Sequence, residues 1–328
     1  MSTGTFPIVD SIAAQLDALR SSAGTCPLHS GWITVRGDDR VRWLNGMVTN
    51  SVQALTPGDG AYSFMLSAQG RIQGDATIWA EPGQLLMQTA TEQVQPLTTL
   101  LNRFIIMDDV VLEDMPAQHG LLVAGPRAAE LLTSVGIVAK NSRLLKRTLV
   151  QRGADSLALL HAYSPLVPRF ELWTHDADAL NSIATALQHA GAAVCTQPAI
   201  ELLRMLEGTP LYGVDLHDRD LPQETAQTRA LHFNKGCYLG QEIVERIRSR
   251  GNVHRTFTAF TLTGDVPAPG TALHADDKAV GELTSIATEP IDNQRLAHGF
   301  VRREAVERAH TLTYVGGVAE PRTAATAS

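Results

Sequence analysis

The sequence predicts an α+β protein with antiparallel sheets and a small β-barrel toward its C-terminal side. Apolar residues alternate with period two between positions 61 and 90, and recur at helical spacing between 177 and 206. Beyond Gly251 helical periodicity nearly vanishes and short β-rich runs take over.

Residues 32–36 read as a strand, and Asp38 is the expected N-cap of a helix through Trp43, Leu44 and Met47. Residues 62–67 and 71–80 alternate about the turn Ala68-Gln69-Gly70. Glu81-Pro82-Gly83 then turns the chain into 85–89, which completes an antiparallel meander. A helix is expected over 91–104, strands near Val110 and over 120–124, and a short helix from Pro126 to Ser134. Residues 148–200 form a second α+β unit, with strands at 157–163 and 170–174 and a helix at 177–190.

A helix over 199–206 leads into a loop from Gly208 to Pro222 that is longer than a mere connection requires, and long loops often carry function. Strands at 256–262, 279–284, 297–302 and 312–315 make the barrel. From Glu320 onward the chain is small and polar and reads as a disordered tail.

With 328 residues and 44% hydrophobic content, the chain can bury two or three cores. The formal net charge of −7 argues against an extended nucleic-acid surface, because such surfaces need clustered Lys and Arg. Cys26, Cys195 and Cys237 are widely spaced and odd in number, which suggests neither a disulfide framework nor a self-contained metal site. The N-terminal residues have no basic segment before an apolar run, and no stretch reaches the roughly 20 apolar residues that span a bilayer. A soluble protein of the reducing cytoplasm, with no membrane partner, is the expectation.

The run from Lys235 through Cys237 to Glu242 draws attention chemically. The pattern Glu242-Ile243-Val244-Glu245-Arg246-Ile247-Arg248 is helical, so residues 238–241 are expected to form the first turn, with Cys237 at its positive end. Such a position favours a thiolate, and Lys235 supplies a second cation that can lower the thiol pKa. A free cysteine is equally at home as a small apolar core residue. Lysine occurs only at positions 140, 146, 235 and 278, so its retention at 235 is a mild hint.

The segments Leu221-Pro222-Gln223-Glu224, Lys235-Gly236-Cys237-Tyr238-Leu239-Gly240-Gln241-Glu242 and Gly251-Asn252-Val253-His254-Arg255 resemble the YgfZ folate-binding family, which is related to the T-protein (aminomethyltransferase) of the glycine cleavage system. The resemblance extends to Ser67-Ala68-Gln69-Gly70-Arg71-Ile72, Val280-Gly281-Glu282-Leu283-Thr284-Ser285 and the stretches 204–215 and 296–303, and so covers residues 28–318. It implies a three-part ring around a folate: a discontinuous folate-binding part over 1–115 and 200–250, a second α+β part over 116–199, and the barrel over 251–320, with 321–328 as the tail. It also implies tetrahydrofolate or a one-carbon derivative as cofactor, the motif cysteine as essential residue, and iron–sulfur client or assembly proteins as partners. Those clients include a radical enzyme that methylthiolates tRNA.

Two departures from the T-protein matter. Cys237 stands where the T-protein segment has no thiol, and Leu206 stands where many relatives place a pterin-binding glutamate, with Glu207 one residue later. One residue along a helix turns a side chain by about 100°, so Glu207 does not trivially replace it. Asp75 matches the second of two adjacent T-protein aspartates, the first being Gly74 here, and is carried over as a residue lining the folate site.

A reduced folate needs an apolar slot, a carboxylate for its donor edge, and cations or N–H groups for its glutamate tail. Tyr62, Phe64 and Met65 are slot candidates, or else core residues of an alternating strand. Arg71, Arg204 and Arg229 are tail candidates, and a lone arginine is commonly a solvated surface charge. The run Gly208, Pro210, Tyr212, Gly213 and Asp215 either contacts ligand or shapes its loop. Gln241 and Glu242 serve a ligand or the helix start, and Tyr238 flanks the thiol.

The expected catalytic residues are therefore Cys237 and Lys235. The expected folate contacts are Tyr62, Asp75, Arg204, Glu207, Tyr212, Tyr238, Gln241 and Glu242, with no metal site. The leading function is a folate-binding accessory protein that supports assembly or repair of iron–sulfur clusters through Cys237. The alternatives are a tetrahydrofolate-dependent aminomethyl- or methyltransferase, and a thiol hydrolase or acyltransferase using Cys237 with a histidine such as His232 or His254 as base.

Overall fold

The computed structural model describes residues 11–116, 118–139, 143–152, 155–251, 253–308 and 311–324. Two compact units are present. One takes the chain through residue 30 and again over 116–203, and the other is built from 31–115 and 204–324. Asn252 of the third family segment and residues 325–328 of the expected tail lie outside the described residues.

The chain begins with helix α1 (Ile12–Ser21) and strand β1 (Gly24–Leu28), neither of which the sequence pattern predicts. Strand β2 (Gly31–Arg36) and helix α2 (Arg40–Met47) follow as expected, but the N-cap is Asp39, not Asp38. Asp38 instead donates its backbone N–H to Asp109 Oδ2 at 2.9 Å. The meander comprises β3 (Gly60–Leu66), β4 (Ile72–Glu81) and β5 (Gln84–Thr89). The expected helix over 91–104 divides into a 3₁₀ turn, Thr91–Gln93, and α3 (Val94–Asn102), which carries Pro96 within its first turn, where a missing N–H costs nothing.

Next come β6 (Val111–Asp114), β7 (His119–Ala124), α4 (Ala128–Ser134), β8 (Lys146–Arg152), β9 (Asp155–Ala162), β10 (Arg169–Thr174), α5 (Ala177–His189), β11 (Ala193–Val194) and α6 (Gln197–Glu207). After the long loop, α7 (Gln241–Arg250) precedes β12 (Arg255–Gly264), β13 (Ala272–Ala275), β14 (Lys278–Ile286), β15 (Arg295–Arg302), α8 (Arg303–Glu307), β16 (Leu312–Tyr314) and β17 (Gly317–Arg322). Strand β17 corrects the expectation that the tail is disordered from 320: residues as far as Arg322 pair with β12.

The first unit holds a six-stranded sheet in the order β11-β1-β7-β10-β9-β8, antiparallel except for β1 with β11. Helices α4 and α5 cover one face, where Leu131, Leu132, Ile183 and Leu187 meet Val123, Leu159 and Leu172.

The second unit contains the antiparallel sheet β3-β4-β5-β2-β6 and a closed barrel, β12-β15-β14-β13-β16-β17. Its sheet is buried on both faces. Trp43 and Leu44 of α2, with Leu97 and Leu101 one turn apart on α3, pack on Ile33, Val35, Ile78 and Met87. On the opposite face Tyr62, Phe64, Leu66 and Ile72 meet Leu216, Tyr238 and Val244, together with Phe257 and Phe300 of the barrel. Full burial of a side chain such as Phe64 contributes about 2–3 kcal/mol.

Helix α7 starts later than its apolar pattern suggests. Gly240 is the N-cap at φ +80°, and Gln241 N–H donates to Tyr238 O at 3.1 Å, so 238–240 form a turn. Only glycine takes that conformation cheaply. Cys237 therefore stands outside the first turn of α7, contrary to the expectation of a thiol at a helix N-terminus.

Candidate functional site

The meander presents Tyr62 and Asp75 on neighbouring strands. Phe64 lies directly opposite Asp75 in the β3–β4 register, so Tyr62, two residues earlier on β3, shares their face and reaches Asp75 diagonally. Tyr62 Oη donates to Asp75 Oδ2 at 2.6 Å, and Gln93 Nε2 donates to Asp75 Oδ1 at 2.8 Å. Gln93 Oε1 in turn accepts Asp75 N–H at 3.0 Å. Burial first, and then the Asp75 carboxylate, raise the Tyr62 phenol well above its ordinary range, against the pull of Arg229. The phenol thus remains a donor. A carboxylate offers about four lone-pair positions, so the half-buried Asp75 retains two for N–H groups of a ligand.

The Arg229 guanidinium stacks 4.0 Å from the Tyr62 ring centroid and donates from Nε to Gln227 Oε1 at 3.0 Å. Tyr212, half-buried, packs beside the same apolar cluster. Its phenol is raised by burial and then by the charges of Asp218, Asp75 and Asp220. Tyr62 and Asp75 are thus brought together, and Tyr212 shares the apolar cluster of Tyr62. Met65, by contrast, belongs to the α2–α3 face, and Phe64 is fully buried core.

The connection after α2 holds the other side of this cluster. Asn50 Nδ2 donates to both Tyr62 O and Arg229 O at 2.9 Å. Thr49 Oγ1 donates to Ala230 O at 2.6 Å and accepts Phe64 N–H at 2.9 Å. Thr49, Asn50 and Gln93 are not recognisable in the sequence, because each acts through contacts distant along the chain. Their polar, turn-forming character is the only available signal.

Lys235 donates from Nζ to three main-chain oxygens, those of Asn45 at 2.6 Å, Val48 at 2.7 Å and Asn50 at 2.6 Å. Burial pushes its ammonium down to about 7, while the three carbonyls oppose that shift, since a neutral amine has only two hydrogens to give. Leu239 N–H donates to Gly46 O at 2.9 Å. Cys237 lies between these two anchors and is exposed, whereas Cys26 and Cys195 are buried. Burial raises the Cys195 thiol to about 12.

Tyr238 is buried in the apolar cluster, and burial followed by Glu245 lifts its phenol to about 12. Gln241 Oε1 accepts Tyr238 N–H at 3.2 Å, so this side chain closes the turn before α7, while Glu242 is exposed. The two family segments interlock. A Cβ at Gly240 would stand 2.6 Å from Ser67 O, and one at Gly70 would stand 2.7 Å from Ile243 Cβ.

Arg204 sits elsewhere, in a buried polar cluster. Its Nη1 donates to Asp215 Oδ2 at 2.7 Å and Thr209 O at 2.6 Å, and its Nη2 donates to Ser285 Oγ at 3.1 Å. Asp215 Oδ1 also accepts from Ser285 at 2.6 Å and Thr284 at 2.5 Å. Burial works against the Asp215 carboxylate, but Arg204 and the two hydroxyls hold it below its ordinary range. Because Arg204 can only donate, His298 Nδ1 accepts at 3.3 Å and Nε2–H donates to Met205 O at 3.1 Å. Burial, aided by Arg204, pushes this imidazole down to about 4.

Arg204 and Asp215 therefore tie the chain from Arg204 through the long loop to the barrel. Glu207 is buried at the end of α6. Arg71 is exposed and donates to Arg219 O. Among the described residues no group of three or more His, Cys, Asp and Glu side chains could hold a metal ion, and no helix is long and apolar enough to cross a membrane.

A family model described as the GCVT N-terminal domain matches residues 3–235. Similar proteins include a putative chloroplastic transferase of Arabidopsis thaliana, 24% identical over 289 residues, which span 87% of this chain and 66% of that protein. The aminomethyltransferase of Streptomyces avermitilis is 27% identical over 327 residues, covering 92% of this chain and 82% of its own. The crystal structure of the glycine cleavage system aminomethyltransferase T from Bartonella henselae superposes with a TM-score of 0.84 at 17% identity, over 97% of this chain and 88% of that one.

Proposed function

The chain belongs to the GCVT N-terminal domain family and has the aminomethyltransferase T fold, and from that premise we propose that it binds a reduced folate and supports iron–sulfur enzymes through Cys237. The folate reading is supported by the fit of Asp75, which has acceptor positions to spare and two donors holding its orientation. In this reading Asp75 accepts from the pterin's amidine-like edge, while Tyr62 and Gln93 keep its carboxylate fixed. Tyr212 packs with the cluster that contains Tyr62. Bound tetrahydrofolate supplies a carrier for one-carbon units. Arg204, engaged with Asp215, is assigned to the scaffold, not to the folate tail.

The observation that carries the accessory role is the exposed thiol of Cys237 on a loop anchored at Lys235 and Leu239. An exposed, fixed thiol can meet a cluster or a protein partner, which the buried thiols of Cys26 and Cys195 cannot. The finer assignment, to the YgfZ branch with cytoplasmic iron–sulfur clients, rests on the segment around Cys237.

A strain lacking the protein provides the test. Wild type should restore iron–sulfur enzyme activity and the Cys237→Ala variant should not. Full restoration by Cys237→Ala removes the accessory reading.

Aminomethyl transfer is the second reading, supported by the names of the similar proteins and by the fold. Turnover of a methylamine-type donor by purified protein with tetrahydrofolate establishes it. No turnover across a donor panel leaves the accessory reading standing.

A further inference from the structure

The end of α2 meets the Cys237 loop through its main chain. A helix that stops at Met47 leaves its last carbonyls without intrahelical partners. Asn45 O does not receive Thr49 N–H, which donates to Phe64 O at 3.0 Å instead. The Lys235 ammonium takes Asn45 O, with Val48 O and Asn50 O, and Leu239 N–H takes Gly46 O.

We propose that Lys235 is a positioning residue, a main-chain clamp that fixes the five-residue segment bearing Cys237 to the end of α2. An ammonium has three donors, and all three of Lys235's are directed to carbonyls. Its hydrogen bonds therefore act on the backbone, and none goes to the thiol. With Leu239 bonded on the far side, Cys237 occupies the middle of a segment held at both ends. Tyr238 adds a third hold, with its buried ring 5.1 Å from Lys235 Nζ. The same ammonium holds Asn50 O, and Asn50 bonds Tyr62 O, so the clamp joins the thiol's segment to the strand that carries the Asp75 partner.

Burial of the ammonium is consistent with this use, because a cation withdrawn from water needs its donors filled. Arginine is a poor substitute. Its donors lie in a planar fork and do not converge on three oxygens around one nitrogen.

The functional part of this inference rests on the proposed role of Cys237, whereas the clamp itself can be read independently. A nitroxide placed on Cys237, the exposed thiol, reports the order of its segment by electron paramagnetic resonance. The wild-type protein should give a slow, restricted spectrum. Lys235→Met and Lys235→Arg should each give a mobile component making up most of the signal, whereas Asn50→Ala, which removes the side-chain bonds to Tyr62 O and Arg229 O but keeps the carbonyl that Lys235 holds, should retain the restricted spectrum. Unchanged spectra in both Lys235 variants overturn the clamp. If Lys235→Met fails to fold, Lys235→Arg decides alone, and a restricted spectrum there overturns the requirement for an ammonium.

In the deletion strain, Lys235→Arg should lower iron–sulfur enzyme activity at least tenfold, as Cys237→Ala does, while tetrahydrofolate affinity falls less than threefold. Wild-type activity in Lys235→Arg overturns positioning by the ammonium. Full activity in Cys237→Ala defeats the accessory reading, and the spectra still decide the clamp.

Discussion

Tyr62 and Asp75 stand diagonally across β3 and β4, and the Tyr62 hydroxyl donates to Asp75 Oδ2 at 2.6 Å. Gln93 fills the other carboxylate oxygen, so the carboxylate is held from both sides before any ligand arrives. A preorganised acceptor loses little freedom on binding, which is where affinity is gained.

Asp75→Asn should therefore weaken tetrahydrofolate binding by about tenfold or more, since it removes the charge and reverses one acceptor, and a charge-assisted hydrogen bond contributes about 1.5–3 kcal/mol. Tyr62→Phe should weaken it by less, as it only loosens the carboxylate. Anaerobic titration calorimetry compares the three proteins. Equal affinities for wild type and Asp75→Asn place the folate away from this carboxylate.

Arg204→Met should destabilise the protein by about 3–5 kcal/mol, because it leaves the fully buried Asp215 without its counter-charge. Urea unfolding measures the loss. The double variant Arg204→Met, Asp215→Leu should recover part of it, and a strictly additive result would contradict the pairing described for these residues.

Gly240→Ala should cost about 1–3 kcal/mol from the left-handed conformation at φ +80°. The new Cβ, 2.6 Å from Ser67 O, adds a steric term that falls on the β3–β4 turn. Thermal melting gives the magnitude. Local hydrogen exchange at Gly70, whose N–H donates to Ser67 O at 2.9 Å, should show the turn loosening; wild-type protection there would separate the two segments.

Acid sensitivity should follow His298. Its folded pKa of about 4 lies below the ordinary 6.5, so between those values the unfolded chain binds a proton that the folded chain refuses. Stability is then complete above about pH 6.5 and is lost as the pH falls toward 4. His298→Gln should flatten the stability curve across that window. A wild-type slope retained in the variant assigns the acid loss to other groups.

Much of the fold is legible because its elements carry their own periodicity. The meander alternates, α5 repeats its apolar residues by turns, and the β-rich run after Gly251 reads as a barrel, which closes with six strands. Strand β1 is missed for a physical reason. Gly24-Thr25-Cys26-Pro27-Leu28 has little strand propensity of its own and is held by pairing with β7 and β11. Strand β17 contains Pro321, which cannot donate to a ladder, and again neighbours decide.

The start of α7 was displaced by Gly240, a residue visible in the sequence whose left-handed geometry is set by its packing against Ser67 and Gly70. At the site, Tyr62 meets Asp75 and Tyr212 packs with the Tyr62 cluster, but Arg204 is diverted to Asp215 by the barrel's Ser285 and His298. A lysine two residues from a cysteine suggests an electrostatic effect on the thiol. Only the three-dimensional path of α2 shows that the ammonium is directed to carbonyls.

The pairing of β17 with β12 also sets an order of events during synthesis. A ribosome delivers β12 more than fifty residues before β17, so β12 waits with one edge unpaired until the final described strand has emerged. Sheet residues 31–115 wait longer still for the Lys235 segment, because residues 116–203 of the other unit are translated in between. Those residues join β1 to complete the first unit's sheet and core, so the first unit has all its strands while the second still has open edges.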